Sequence, residues 1–319
     1  MRIAAHSCGF LFSHARYRYK WTDSGIETFI IQSAYLQSCS PLSAQIESRM
    51  ALLRSVLILL LVVVFALSAQ ADDILFIGNS FTFGAMAPLV EKNGGVPKLF
   101  EAIALAKGRQ VATFAVTAGG KDWSYHLAQP ATDKALGSRT WTWVVLQDFS
   151  TRPTRAGDVK QFLQDGETFS ARIAQNSPKA GIVLFETWAR PPGKFYQTKP
   201  GNVFAGPEQM MSDLHESYGR LRDNLAAENK NRAARVALVG TAFATVKARY
   251  PEIKLDAIDL HHATADGYYL AALVIYETIY GDSVKGAPAT FYQGKLTIPA
   301  DDAAKLQAVA DEVAGGAGK

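Results

Sequence analysis

Cysteine is scarce in this chain and confined to its start: of 319 residues only Cys8 and Cys39 are cysteines. Whatever folds downstream has no disulfide and depends on its core alone, which a segment of about 250 residues can supply. Histidine is thin as well, with six in the chain and four beyond residue 71, namely His126, His215, His261 and His262. No His, Asp or Glu cluster outside the stretch from Asp259 to His262 has ligand spacing, so neither a metal nor a cofactor is expected. The Gly-Lys-Ser/Thr ending of a phosphate loop and the Gly-x-Gly-x-x-Gly fingerprint are both missing, which argues against nucleotide binding at residues 78–84. Internal repeats are absent too, and the only low-complexity stretch is the tail Gly315-Gly316-Ala317-Gly318-Lys319.

Charge is nearly balanced, and more so once the N-terminus is set aside. The chain holds 33 Lys and Arg against 29 Asp and Glu, and residues 1–71 contain six of the former and three of the latter. Residues 72–319 therefore carry 27 against 26, or +1. That balance excludes an electrostatic footprint for nucleic acid or an anionic surface.

The N-terminus has the form of a targeting segment. Met50-Ala51-Leu52-Leu53-Arg54-Ser55 is a short basic start, residues 56–67 are densely apolar, and Ala69-Gln70-Ala71 precedes Asp72-Asp73 as a small-x-small cleavage site. The apolar run falls short of the ~20 residues a spanning helix needs. Residues 50–71 are thus expected to be a signal peptide cleaved after Ala71, and the protein to be periplasmic or secreted with no membrane span left. Residues 1–49 show no clear helical or strand period; they are expected to be an extension from a start codon placed too far upstream, with Met50 the initiator.

From residue 72 apolar runs alternate with helical patterns. Strands are expected at residues 74–77, 111–116, 143–146, 182–185 and 236–239, each nearly all apolar. Between and after them, helical spacing marks residues 85–107 (two short helices with a break at Asn93-Gly94-Gly95), 157–176, 207–230, 266–280 and 300–313. Strands of this kind separated by helices predict a parallel sheet buried on both faces. The expected fold is α/β, a three-layer α/β/α sandwich with a five-stranded parallel, flavodoxin-like sheet over residues 72–315. Residues 190–206 form the one long irregular segment, with three prolines, three glycines and three aromatics, and are expected to border a site.

The strand at residues 74–77 stops at Gly78-Asn79-Ser80-Phe81-Thr82. A serine there is as well placed to cap a helix as to act as a nucleophile. Parallel strands end on one edge, however, so Ser80, Gly119-Gly120 and Gln147 should meet in space. A base is still needed. Asp259-Leu260-His261-His262 sets a carboxylate three residues before an imidazole, close enough to hold one tautomer. His262 is favoured over His261, which lies only two residues from Asp259; His126 is expected to anchor its loop, and His215 to lie on a helix face.

These residues resemble the SGNH/GDSL hydrolase family, in its branch with Gly-Asn-Ser-Phe-Thr in place of Gly-Asp-Ser. Asp259-Leu260-His261-His262-Ala263-Thr264-Ala265-Asp266-Gly267-Tyr268-Tyr269-Leu270-Ala271-Ala272 matches that family's Asp-x-x-His-Pro-x-x-x-Gly-x-x-Leu-Ala pattern in spacing, with Ala263 in place of the proline. The resemblance implies Ser80 as nucleophile, His262 as general base and Asp259 as its orienting acid. It implies oxyanion donors from the Ser80 and Gly120 backbone N–H groups and a side-chain amide. The family's Gly-x-Asn-Asp block is missing; Val145-Leu146-Gln147-Asp148 stands in its place, so Gln147 is the amide expected there.

An ester-hydrolysing enzyme is what the resemblance implies, working through an acyl-enzyme on small-molecule or carbohydrate esters. Trp123, Trp141, Trp143 and Trp188 lie near predicted strand ends, and rim aromatics suit sugar faces, which makes a carbohydrate O-acetyl ester the leading expectation. Asn79, Trp188 and Arg190 are the expected substrate contacts, with Arg190 either holding an anionic group or pairing with a carboxylate such as Asp148. Two alternatives stand beside it: an acyltransferase with the same triad, and a non-catalytic binding protein on such a scaffold.

Overall fold

The computed structural model describes residues 18–22, 25–29, 49–50 and 71–316, and the chain divides into two units, residues 1–68 and 69–319. In the first unit β1 (Arg18–Thr22) and β2 (Gly25–Phe29) pair antiparallel, Arg18 opposite Phe29 and Thr22 opposite Gly25. The sequence there shows no clear strand period. Five-residue runs are too short for alternation to stand out, although Tyr19, Trp21, Ile26 and Phe29 are all strand formers. Of the expected signal segment only Met50 and Ala71 fall within the described residues.

The second unit is built on five strands, β3 (Asp72–Gly78), β4 (Val111–Thr117), β5 (Trp143–Leu146), β6 (Gly181–Phe185) and β7 (Ala234–Ala237). All neighbours are parallel and the order is β4-β3-β5-β6-β7. Counted from β3 that is 2-1-3-4-5, the flavodoxin-like order. Helices fill the crossovers. After β3 come α1 (Ser80–Phe83), α2 (Pro88–Lys92) and α3 (Gly95–Ala106); after β4, α4 (Trp123–Leu127) and α5 (Pro130–Gly137). Then α6 (Val159–Asn176) follows β5, α7 (Pro207–Glu228) follows β6, and α8 (Val239–Arg249), α9 (Ala265–Tyr280) and α10 (Ala300–Gly316) follow β7.

Period-two alternation sorts the strand residues between two cores. Ile74, Phe76, Val145, Val183 and Phe185 pack with α3, α8, α9 and α10, whereas Leu75, Ile77, Val144, Leu146, Ile182 and Leu184 pack with α6 and α7. The expected three-layer α/β/α sandwich is therefore the one observed. Helix α9 is buried along almost its whole length from Gly267 to Ile279, which is why its sequence is apolar all round rather than striped.

One element contradicts the reading of residues 236–239 as strand and the following stretch as loop. β7 ends at Ala237, and Val239 already opens α8. Val239, Ala242, Phe243 and Val246 have the i, i+3, i+4, i+7 spacing of a buried helix face. The helix start is capped from a distant strand: Glu186 O accepts from Gly240 N at 3.1 Å, and Glu186 Oε2 accepts from Thr241 N at 2.9 Å. Gly240 is required for packing rather than for a turn, because a Cβ there would overlap the Thr187 carbonyl oxygen and sit 2.7 Å from Met211 Cε. Gly240→Ala should accordingly cost about 1–3 kcal/mol by overpacking, read as a lower urea midpoint with an unchanged slope.

Register brings the site together. Gly78 lies beside Thr117 and Ile77 beside Leu146, so the residues that follow β3, β4 and β5 emerge side by side at one edge.

Candidate active site

Ser80 sits at a strand-to-helix turn with little freedom. Gly78 ends β3, and a Cβ there would run into Thr82 and lie 2.7 Å from Gln147 Oε1. Asn79 is the N-cap of α1: its Oδ1 accepts from Phe81 N at 3.2 Å, while its Nδ2 donates to Lys121 O at 2.9 Å. The first bond caps the helix and the second staples the turn to the loop after β4. Ser80 is 9% exposed, and its Oγ meets no hydrogen-bonding partner among the described residues. The Ser80 and Gly120 backbone N–H groups likewise have no protein acceptor among the described residues. Gly120 takes a φ of +67°, a left-handed conformation that glycine adopts without strain.

Residues 256–263 form the second half of the site. A bridge between Asp256 and Ala263 and a bond from Ala257 N to His262 O at 2.8 Å pinch the loop closed. Within it, Asp259 Oδ1 accepts from His261 N and His262 N, each at 3.0 Å, and Asp259 Oδ2 accepts from His262 Nδ1 at 2.6 Å. Burial pushes the Asp259 carboxyl up, but the bonds from the His262 ring and the two backbone N–H groups outweigh it and hold the group down at about 2. An ionised Asp259 accepts the hydrogen bond of His262 Nδ1–H, which leaves Nε2 as the acceptor nitrogen. The His261 ring has no such partner; burial and the nearby Arg190 charge push it down to about 3.

Phe81, directly after Ser80, ties the two halves together. Its ring lies 5.1 Å from the His261 ring and 5.6 Å from the His262 ring, centroid to centroid. The other side stacks on Trp188 at 4.1 Å and 3°, and Trp188 stacks in turn on Phe243 at 4.3 Å and 5°. Trp188 Nε1 donates to His261 O at 3.3 Å. Sequence reasoning passed over Phe81, although its place beside the serine was a usable signal.

The fold that carries these residues has a solved counterpart. It is similar to that of a DUF4886 family protein from Bacteroides uniformis ATCC 8492. The likeness has a TM-score of 0.59 at 17% identity, over 76% of this chain and 95% of that one, and is a likeness of fold. The lipase/acylhydrolase from Enterococcus faecalis (18% identity, 66% of this chain and 96% of that, TM-score 0.45) is more distant. So is the psychrotrophic esterase EstA from Pseudoalteromonas sp. (14%, 66% and 97%, TM-score 0.44). No protein-family model matches the sequence, and no curated protein does.

Several expected site residues have other work. Gln147 is buried with its Oε1 turned toward the Ser80 turn, accepting from Asn79 N at 2.8 Å and Thr82 Oγ1 at 2.9 Å; its Nε2 donates to Asp148 O. Its amide thus braces the Ser80 turn instead of aiming a donor at an oxyanion. Gln147→Leu should strand the buried Asn79 N–H and cost about 1–3 kcal/mol, measurable as a lower urea midpoint. A residue that served only as an oxyanion donor would leave that midpoint unchanged. Asn79, expected to touch substrate, is buried with its amide committed to cap and staple.

Among the described residues, Trp123, Trp141, Trp143 and Trp188 offer no sugar platform. Trp188 is 1% exposed with both faces covered, and Trp123 and Trp141 are buried as well. Trp143 opens β5, so it lies at the opposite end of the sheet from the Ser80 turn, under the Arg235 guanidinium at 5.0 Å. Arg190 does not pair with Asp148; its Nη2 donates to Ser150 Oγ at 2.9 Å. Asp148 Oδ1 instead accepts from Trp123 N and Phe149 N, both at 2.8 Å, while burial pushes the carboxyl up to about 7 against the pull of Arg152. His126 bonds Gly78 O through Nε2 at 2.9 Å and anchors the strand end; His215 meets Glu186 at 3.0 Å. Among the described residues no group of three His, Cys, Asp or Glu side chains is arranged to hold a metal ion.

Proposed function

We propose that this chain is a serine esterase of the SGNH/GDSL type, acting on carboxylic esters through an acyl-enzyme on Ser80. The observation that carries the reading is the 2.6 Å bond from His262 Nδ1 to Asp259 Oδ2, in a loop packed against Phe81, the residue next to Ser80. Serine is a poor nucleophile until a base takes its proton, and a correctly oriented imidazole supplies about 10²–10⁴ in rate. In this scheme Ser80 Oγ attacks the ester carbonyl while its proton passes to His262 Nε2. The tetrahedral oxygen faces the N–H groups of Ser80 and Gly120; one such donor is worth about 2.7–4 kcal/mol in a serine protease. Collapse expels the alcohol with the proton from His262, and water activated by the same imidazole then releases the acid.

Among the described residues no hydrogen bond joins Ser80 Oγ to His262; catalytic hydrogen bonds often tighten only when substrate binds. Residues 50–71 support an enzyme that works after export, in the periplasm or outside the cell. With Trp123, Trp141 and Trp188 buried and Trp143 at the far end of the sheet, the reading extends to carboxylic esters as a class and takes no support from a sugar platform. Hydrolysis of 4-nitrophenyl acetate by residues 72–319 is the test, with a burst of nitrophenol equal to the enzyme present when deacylation is slow. A protein that melts cooperatively yet releases no nitrophenol above background contradicts the reading.

A further inference from the structure

Arg190 stands out among the buried cations around the Ser80 turn. It is 6% exposed, and among the described residues it forms no ion pair; its one side-chain partner is Ser150 Oγ, and Nη1 has none. Other buried or half-buried cations of the same region are neutralised. Arg152 faces Asp122, Asp148 and Asp165, and Lys247 holds Asp256 at 2.7 Å. Burial pushes the Arg190 guanidinium down to about 10 against the longer-range pull of Tyr196, Asp259 and Asp256, none of which is in ion-pair contact with it, so the buried group has room for an anion supplied from outside the chain.

Its position says which anion. The guanidinium carbon lies 5.8 Å from the Phe81 ring and 5.4 Å from the Phe195 ring, and its charge is felt by His261. It therefore sits on the side of the triad formed by the loop after β6, at the start of the irregular segment that sequence reasoning set beside the site. Arg190 also lines a cavity of about 330 Å³ whose walls include Trp188, Pro191, Met211 and Phe243. Tyr196 Oη donates to Arg190 O at 2.7 Å and folds the segment back over it. Two other charged residues line the cavity, Lys247, which is held by Asp256, and the exposed Glu208, so the unmatched cation beside the apolar wall is Arg190, a setting that suits a short carbon chain ending in a carboxylate.

We infer that Arg190 is the anion-binding residue of the substrate pocket and that the preferred esters carry a carboxylate. The inference rests on the esterase reading for its substrate class. The planar fork of the guanidinium favours a carboxylate, bound bidentately once Nη1 gains its partner.

Two ester pairs test it, each an acid beside its neutral methyl ester. Mono-4-nitrophenyl glutarate places the charge on the acyl side, and 4-acetoxybenzoate places it on the leaving group. Wild type should prefer one acid over its methyl ester by about tenfold or more in kcat/KM. Arg190→Gln should bring that ratio close to one, and Arg190→Lys should keep part of it; melting curves of both variants check folding. Ser80-dependent hydrolysis with no preference for either acid, or a preference untouched in Arg190→Gln, overturns the inference and leaves the esterase reading standing. Binding gives an independent arm, by calorimetric titration of Ser80→Ala with monomethyl and dimethyl glutarate. There the monoacid should bind more tightly, and adding Arg190→Gln should remove the difference. If no ester is hydrolysed in a Ser80-dependent way, the esterase reading fails, and equal binding of monoacid and diester by Ser80→Ala overturns the anion site as well.

Discussion

Ser80→Ala should abolish ester hydrolysis, lowering kcat by about 10⁴–10⁶-fold, the range spanned when a catalytic serine is removed from a triad. Stability should barely change. Ser80 Oγ has no hydrogen-bonding partner among the described residues, so the substitution strands no polar group. The turn itself is held by Asn79 Oδ1, Gln147 Oε1 and the Phe81 stack, all of which survive. His262→Ala should lose a comparable amount, and the double variant should be no worse than either single one, because groups that act as a unit are not additive. Steady-state hydrolysis beside a urea melt separates this outcome from unfolding: a lost rate with an unchanged midpoint is the signature of chemistry.

Asp259→Asn is the second large effect, with kcat reduced by about 10³–10⁴-fold, as when the triad acid of a serine protease is made an amide. Asparagine can still accept from the His261 and His262 backbone N–H groups with its oxygen. Its remaining atom is then an NH₂ facing His262 Nδ1, which forces the ring proton onto Nε2, the nitrogen that has to accept from serine. Stability should respond to pH in a defined direction. The Asp259 carboxyl is held at about 2 in the folded protein, below its unfolded value of about 3.9. Its contribution is complete above that unfolded value and is lost as pH falls toward 2. Melting temperatures of wild type and Asp259→Asn should therefore differ most above pH 5 and draw together on acidification. A constant gap would show that the carboxylate charge is not what the loop uses.

What could be read in advance follows from how locally each feature is made. Trp143-Val144-Val145-Leu146 is a strand because four apolar residues fill both faces of a sheet, and that demand is written in the residues themselves. Asp259 and His262 are three apart and bond within one loop, so their pairing too was legible. Helix α8 was not, because its cap is the carboxylate of Glu186, just after β6 and 55 residues before Thr241. Gln147 had the chemistry of an oxyanion donor, but its orientation is set by Asn79 N–H and Thr82 Oγ1, 68 and 65 residues away. Trp188 lay at a strand end as a rim aromatic should; only the packing of Phe81 and Phe243 on its two faces makes it core. Pairings across the sheet edge decided every misplaced site residue.

The most direct measurement of the central claim is covalent. A fluorophosphonate probe reacts with a serine only where a base and oxyanion donors activate it. Incubated with residues 72–319 and followed by digestion and mass spectrometry, it should leave one phosphonate adduct, on the peptide bearing Ser80. Labelling should fall to background in Ser80→Ala and His262→Ala while both still melt cooperatively. An adduct on another serine, or equal labelling of wild type and Ser80→Ala, would contradict the account.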